Sequence, residues 1–267
     1  MTYHLHIEVG EISVAYRRAG HGPPIVLLHG FACDSRIWQL QLEGLSDQFD
    51  VIAWDAPGTG ASSDPPDLFD TGDWARSLTW FLDALDVETA HIVGLSWGGI
   101  LAQELYRLDS SRVRSLILAG TYAGWKGSLP RETVERRLSR CLSDSSLAPE
   151  EFAATWVSEF FTTAAPKALR EEMATIVIGF HPLGFRLMAR SSADTDTTAL
   201  LPKIEVPTLL VWGDGDARSP LSIAKQFHEA IPGAEFALIK GAGHVSNMER
   251  PDEFNAVVRR FVLTQET

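Results

Sequence analysis

The chain has 267 residues, 45% of them hydrophobic and 22% charged, a balance that suits a packed globular protein and excludes wholesale disorder. Its formal net charge of −12 disfavours nucleic acid and anionic membrane as partners, because both require a basic face. Small ligands stay open, since a local basic pocket can sit inside an acidic protein.

Two cysteines, Cys33 and Cys141, are too few for a disulfide framework and read as free thiols of a reducing compartment. The start of the chain, Met1 to Glu8, lacks the positive charge and long apolar run of a secretory signal. No stretch reaches the about 18 uncharged apolar residues of a membrane span. A cytoplasmic protein without a membrane partner is therefore expected; the oligomeric state is not legible.

The first two apolar runs, around 3–9 and 12–19, alternate polar and apolar residues and predict an antiparallel pair turned at Gly10-Glu11. Short, nearly continuous apolar runs follow at 25–28, 51–54, 91–93, 113–118, 208–212 and 235–239. Such runs suit parallel strands covered on both faces. Between them, 36–48, 73–86, 97–109, 220–231 and 251–264 carry apolar residues at helical spacing. The alternation predicts an α/β fold with a mostly parallel, doubly wound sheet of about eight strands.

Residues 121–200 break this rhythm. No strand signal occurs there, and Pro130, Pro149, Pro166 and Pro182 punctuate helix-like segments. The expected organisation is a core of 1–120 and 201–267 with a helical cap of 121–200. Aromatic residues gather in the cap, and most are expected to form its own core. Trp125, Trp156 and Phe160 are the candidates for lining a substrate pocket.

The sharpest chemical signal is Gly94-Leu95-Ser96-Trp97-Gly98-Gly99, between a strand-like and a helix-like run. A sharp strand-to-helix turn strains the serine backbone and projects its hydroxyl from the sheet. The following helix N-terminus offers N–H groups to an oxyanion. A serine hydroxyl is a weak nucleophile and needs a base. Among eight histidines, His244 stands out, in Gly241-Ala242-Gly243-His244 between the last strand and the last helix. That is the edge where open α/β sheets bind ligands.

The base in turn needs a carboxylate, and Gly213-Asp214-Gly215-Asp216 offers two at the same edge. Both aspartates could equally serve to cap the helix that follows Ser219-Pro220. A second oxyanion donor is expected from the loop His29-Gly30-Phe31, the N–H of Phe31 pairing with that of Trp97. His29 reads as a support of that loop, and Asp55 to Ser62 as a tight structural turn. No metal-ligand spacing occurs, so no metal and no cofactor are expected.

Taken together, His29-Gly30-Phe31, the Asp55…Ser62 turn, the Ser96 elbow, Gly213…Asp216 and Gly243-His244 resemble the α/β-hydrolase superfamily across almost the whole chain, in order. The resemblance implies a Ser96–His244–Asp216 triad. It selects Asp216 over Asp214 because family members usually carry the acid three residues after the glycine that ends the strand. The family's alternative acid position is held here by Ala119-Gly120, which cannot serve. Ser96 argues against the dehalogenases and epoxide hydrolases of the superfamily, which use aspartate. Segments 243–251 and 191–211 are similar to 3-oxoadipate enol-lactonases, small esterases and acyl-homoserine-lactone lactonases. The implied activity is hydrolysis of a small-molecule ester or lactone through an acyl-enzyme. Carbon–carbon bond hydrolysis on the same residues, or a ligand-binding receptor without significant turnover, are the alternatives.

Overall fold

The computed structural model describes residues 4–266. Two strands, β1 (Leu5–Val9) and β2 (Ile12–Ala19), pair antiparallel through the turn at Gly10-Glu11. They are followed by β3 (Pro24–Leu28), a 3-10 turn at Ser35–Trp38, α1 (Gln39–Leu45), β4 (Asp50–Trp54), α2 (Thr71–Ala84), β5 (Ala90–Leu95), α3 (Trp97–Leu108) and β6 (Val113–Ala119). Then comes a stretch of helices only: α4 (Gly124–Ser128), α5 (Arg131–Asp144), α6 (Pro149–Trp156), α7 (Lys167–Val177) and α8 (Pro182–Asp194). The chain returns through β7 (Thr208–Gly213), α9 (Leu221–Ala230), β8 (Glu235–Ile239), α10 (Ser246–Glu249) and α11 (Pro251–Gln265).

All strands join one 8-stranded sheet of order β1-β2-β4-β3-β5-β6-β7-β8. From β4 to β8 the sheet is parallel, and β2 joins β4 antiparallel. Every residue of β4, β5 and β7 is buried, as strands covered by helices on both faces must be. The last strand departs from the expectation. Phe236 and Leu238 of β8 are exposed, because β8 ends the sheet and has a neighbour on one side only. A run of apolar letters does not reveal whether a strand is central or terminal.

Helix boundaries follow local chemistry. The first predicted helix starts as a 3-10 turn, with the Asp34 carboxylate accepting from Arg36 N. The second begins two residues early, at Thr71. There Asp70 and Asp73 exchange side-chain-to-backbone hydrogen bonds in a capping box. The single turn α10 is too short to leave a periodic signal.

Strand register sets the site. Leu28 pairs Gly94, Leu95 pairs Ala119, Ala119 pairs Val211 and Gly213 pairs Ile239. The strands therefore end level, and the segments after β3, β5, β6, β7 and β8 emerge along one rim. The turn after β5 is also crowded by backbone. A Cβ at Gly94 would meet the Gly98 carbonyl, and one at Gly98 would meet the Leu28 carbonyl. Gly98→Ala should lower stability by about 1–3 kcal/mol through overpacking. The check is a urea titration, in which the midpoint falls at unchanged slope; an unshifted midpoint contradicts the crowding.

Candidate active site

Ser96 stands between β5 and α3 with φ 55 and ψ −114, a left-handed conformation rare for a residue with a side chain. Such a residue stores about 1–3 kcal/mol and needs surroundings that hold it. Its N–H donates to Ala119 O at 2.8 Å. Its carbonyl accepts from Gly99 N at 3.0 Å and from the Thr121 hydroxyl at 2.6 Å. Those bonds fix both peptide planes beside the serine.

Asp216 and His244 meet next to this turn. His244 Nδ1 lies 2.9 Å from Asp216 Oδ2 and 3.1 Å from Oδ1. A carboxylate only accepts, so Nδ1 carries the proton and Nε2 keeps a free lone pair while the ring is neutral. Gly120, the neighbour of the Ala119 that binds Ser96, packs on this pair. A Cβ there would sit 3.0 Å from Asp216 Oδ2 and 3.3 Å from His244 Nδ1. Ser96, Asp216 and His244 are 7%, 6% and 4% exposed, so their polar atoms interact in a largely dry medium.

The two aspartates do different work. Asp214 Oδ1 accepts from Gly241 N at 2.7 Å and ties the turn that follows β8. Asp216 Oδ1 also accepts from Arg218 N and Ser219 N, both at 2.9 Å. These bonds close the turn ahead of α9, whose N-terminus has no side-chain cap, so neither aspartate caps that helix; the turn and the histidine contact together fix Asp216.

The loop after β3 leans on the serine. A Cβ at Gly30 would lie 3.3 Å from Ser96 Cβ and 3.9 Å from Ser96 Oγ. Phe31 precedes a left-handed residue, Ala32, at φ 54. Trp97 opens α3, so its N–H is one of those a helix leaves without an internal acceptor. The Phe31 ring stacks on Trp125 at 5.5 Å and meets Phe185 edge-on at 5.4 Å. Phe160 stacks on the His244 imidazole at 6.4 Å. Trp156 packs with Phe152 and Phe185, among the aromatics of the helical segment.

His29 supports the loop. Nδ1 donates to Gly30 O at 2.9 Å, and Nε2 accepts from Ala56 N at 3.0 Å. Both nitrogens are used within the core. Asp55 accepts from Ser35 N and Ala61 N, which makes 55–62 a structural turn. Among the described residues no cluster of three or more His, Cys, Asp or Glu could hold a metal ion.

Two features near the site were not legible. Glu249 is buried and accepts from Gly243 N at 2.7 Å and from Thr162 N at 3.1 Å, so it locks the histidine loop to the end of the α6 segment. Asn247 donates to Ile37 O at 2.8 Å and anchors α10 beside the 3-10 turn. Their proximity to His244 in the chain was the one available signal.

Burial pushes the His29 imidazole below its ordinary 6.5, against smaller opposing effects of the Gly30 carbonyl, Asp55 and Asp34. The ring is then neutral in the folded protein, while the unfolded chain takes up a proton below 6.5. This contribution to stability is full above pH 6.5 and is lost as pH falls. Urea titrations at pH 7 and at roughly pH 5 should show this loss, and His29→Gln should shrink the difference. An undiminished difference in the variant would remove His29 from the account.

Residues 23–251 match the family described as alpha/beta hydrolase fold. The chain is 30% identical over 258 residues to a protein of Azorhizobium caulinodans provisionally named carbamate hydrolase RutD, covering 94% of this chain and 96% of that one. It is 26% identical over 257 residues to 3-oxoadipate enol-lactonase 1 of Acinetobacter baylyi, covering 94% and 92%. The solved structure of a thermophilic esterase from Thermogutta terrifontis superposes with a TM-score of 0.89 at 28% identity, over 99% of this chain and 100% of that one.

Proposed function

The chain belongs to the α/β-hydrolase fold family, and from that premise we propose that it cleaves a carboxylic ester or lactone, with Ser96 as nucleophile, His244 as base and Asp216 as the acid that orients it. The observation that carries this reading is the His244 Nδ1–Asp216 Oδ2 contact of 2.9 Å on the same rim as the strained Ser96 turn. The segment 121–200 acts as the cap over this rim. Two buried free thiols, Cys33 and Cys141, support a reducing, cytoplasmic setting. No helix of the described residues is long and apolar enough to cross a membrane.

The chemistry follows from the proton positions. With Nδ1–H held by Asp216, the free lone pair at His244 Nε2 takes the Ser96 proton as Oγ attacks the carbonyl carbon. The carbonyl oxygen gains charge and is met by the N–H groups of Phe31 and Trp97. Each such donor contributes roughly 3–4 kcal/mol to the transition state. The imidazolium returns its proton to the leaving alkoxide, and Asp216 stays ionised throughout. Water then enters, loses a proton to His244 and releases the acid. With a lactone the leaving alcohol remains tethered to the product.

Support also comes from the enol-lactonase and esterase relatives, which share the fold and most of their length with this chain. A panel of aryl esters, lactones and dienone acids tests the reading, because the products separate ester, lactone and carbon–carbon cleavage. Ser96→Ala should abolish turnover and labelling by a phosphonate probe read by mass spectrometry. Asp216→Asn should lower kcat about 10⁴-fold, since the imidazole loses its tautomer. Undiminished turnover in Ser96→Ala ends this reading, and tight binding of a ligand without Ser96-dependent turnover favours a receptor.

A further inference from the structure

The main-chain N–H groups on either side of His244 both donate out of its loop. Gly243 N donates to Glu249 Oε2 at 2.7 Å, and Val245 N donates to Phe160 O at 3.2 Å. Phe160 belongs to the helical segment, and so does the second partner of Glu249. Glu249 Oε1 accepts from Thr162 N at 3.1 Å and from the Thr162 hydroxyl. One carboxylate thus bridges the peptide just before the base to residue 162, with one oxygen on each side. Glu249 N donates to Val245 O at 3.1 Å, which fixes where the acid stands relative to the loop it holds.

The two segments meet without slack. A Cβ at Gly243 would lie 2.9 Å from Thr162 N and from Phe161 C, and 3.0 Å from Phe160 O. The Phe160 ring stacks on the imidazole at 6.4 Å. Segment 160–162 is pinned in turn by α7. Arg170 donates to Thr162 O at 2.6 Å and lies 5.9 Å from the Phe161 ring centroid.

A carboxylate is a costly choice for this bridge. Glu249 is 6% exposed, and a buried acid is tolerated only where donors replace the water it has lost. Here the donors come from two different parts of the chain. Withdrawal of segment 160–162 would strip Oε1 of its partners, and the acid would no longer be held against Gly243. The histidine loop would lose the Phe160 carbonyl in the same step.

We propose that Glu249 is a positioning residue for the base, holding the Gly243 peptide, and with it His244, only while segment 160–162 is seated. The competence of the Ser96–His244 pair then depends on the helical segment through one carboxylate. Glu249 acts through the peptide that precedes His244 and not on the reacting atoms. This rests on the hydrolase reading above.

Glu249→Gln keeps the shape but replaces one oxygen by an NH2 donor. Whichever way the amide turns, that donor faces an N–H group, of Gly243 or of Thr162. Thr162→Val removes the hydroxyl and leaves the main-chain N–H of residue 162. The endpoint of phosphonate labelling counts folded sites. Turnover per labelled site is then measured with p-nitrophenyl butyrate, or with whichever compound of the panel is cleaved faster. Per site, kcat should fall about 10- to 100-fold in Glu249→Gln and about fivefold in Thr162→Val, with KM moving less than about twofold. A role confined to folding lowers the number of labelled sites and leaves kcat per site unchanged, and that result overturns the proposal. If Glu249→Gln yields no labelled sites, Thr162→Val decides by the same criterion. If no compound shows Ser96-dependent turnover, the hydrolase reading fails, and proton–nitrogen NMR of the histidine rings, assigned with His244→Gln, decides the positioning. A single Nδ1–H tautomer of His244 in the unaltered protein that becomes mixed in either variant upholds it, and any other pattern removes it.

Discussion

Ser96 holds its backbone at φ 55 and ψ −114 because the sheet on either side leaves it no other path. The peptide N–H is committed to Ala119, the carbonyl to Gly99 and Thr121, and the flanking glycines to the close approach of α3 to β5 and β3. Everything at the rim is referenced to that turn. Ala119 leads into Gly120, which packs on Asp216 and His244. Gly30 brings the loop after β3 against the same serine. The strain is local, about 1–3 kcal/mol, and small beside what a buried sheet of this size contributes.

Around that turn the polar groups are tied by backbone donors and acceptors more than by one another. Asp216 takes two main-chain N–H groups besides the imidazole, Glu249 takes one from the histidine loop and one from the helical segment at Thr162, and His29 spends both ring nitrogens on main chain. Groups fixed in this way need little reorganisation when charge develops, which is the physical basis of electrostatic catalysis. Their low exposure strengthens the same interactions.

Much of this was legible in the letters, for identifiable reasons. Central strands such as β4 and β7 announce themselves because burial on both faces demands continuous apolar runs. Ser96, Asp216 and His244 stand out because each follows a strand beside glycines, and strand ends share a rim. Exposure of β8 was not legible, because a terminal strand and a central one share a composition. Neither was the cavity between α5 and the loop after β7, which Arg136, Arg137, Arg140 and Arg218 line. Three of these arginines lie on α5, and Arg218 comes from a loop far along the chain. Only the tertiary fold brings them to one wall. The aromatic residues of α4–α8 were visible as a group, but which of them touch Phe31 or His244 depends on helix orientation, which sequence periodicity does not encode.

The stack of Phe31 on Trp125 joins the two halves of the molecule at its most demanding point. Trp125 sits on the first helix after β6, and Phe31 carries one of the proposed oxyanion N–H groups. Any exchange of the helical segment for one of another shape would move the ring on which that loop rests. The helical segment and the loop after β3 are thus mechanically linked here. Replacing the helical segment would disturb the proposed oxyanion geometry unless an aromatic surface were rebuilt at position 125.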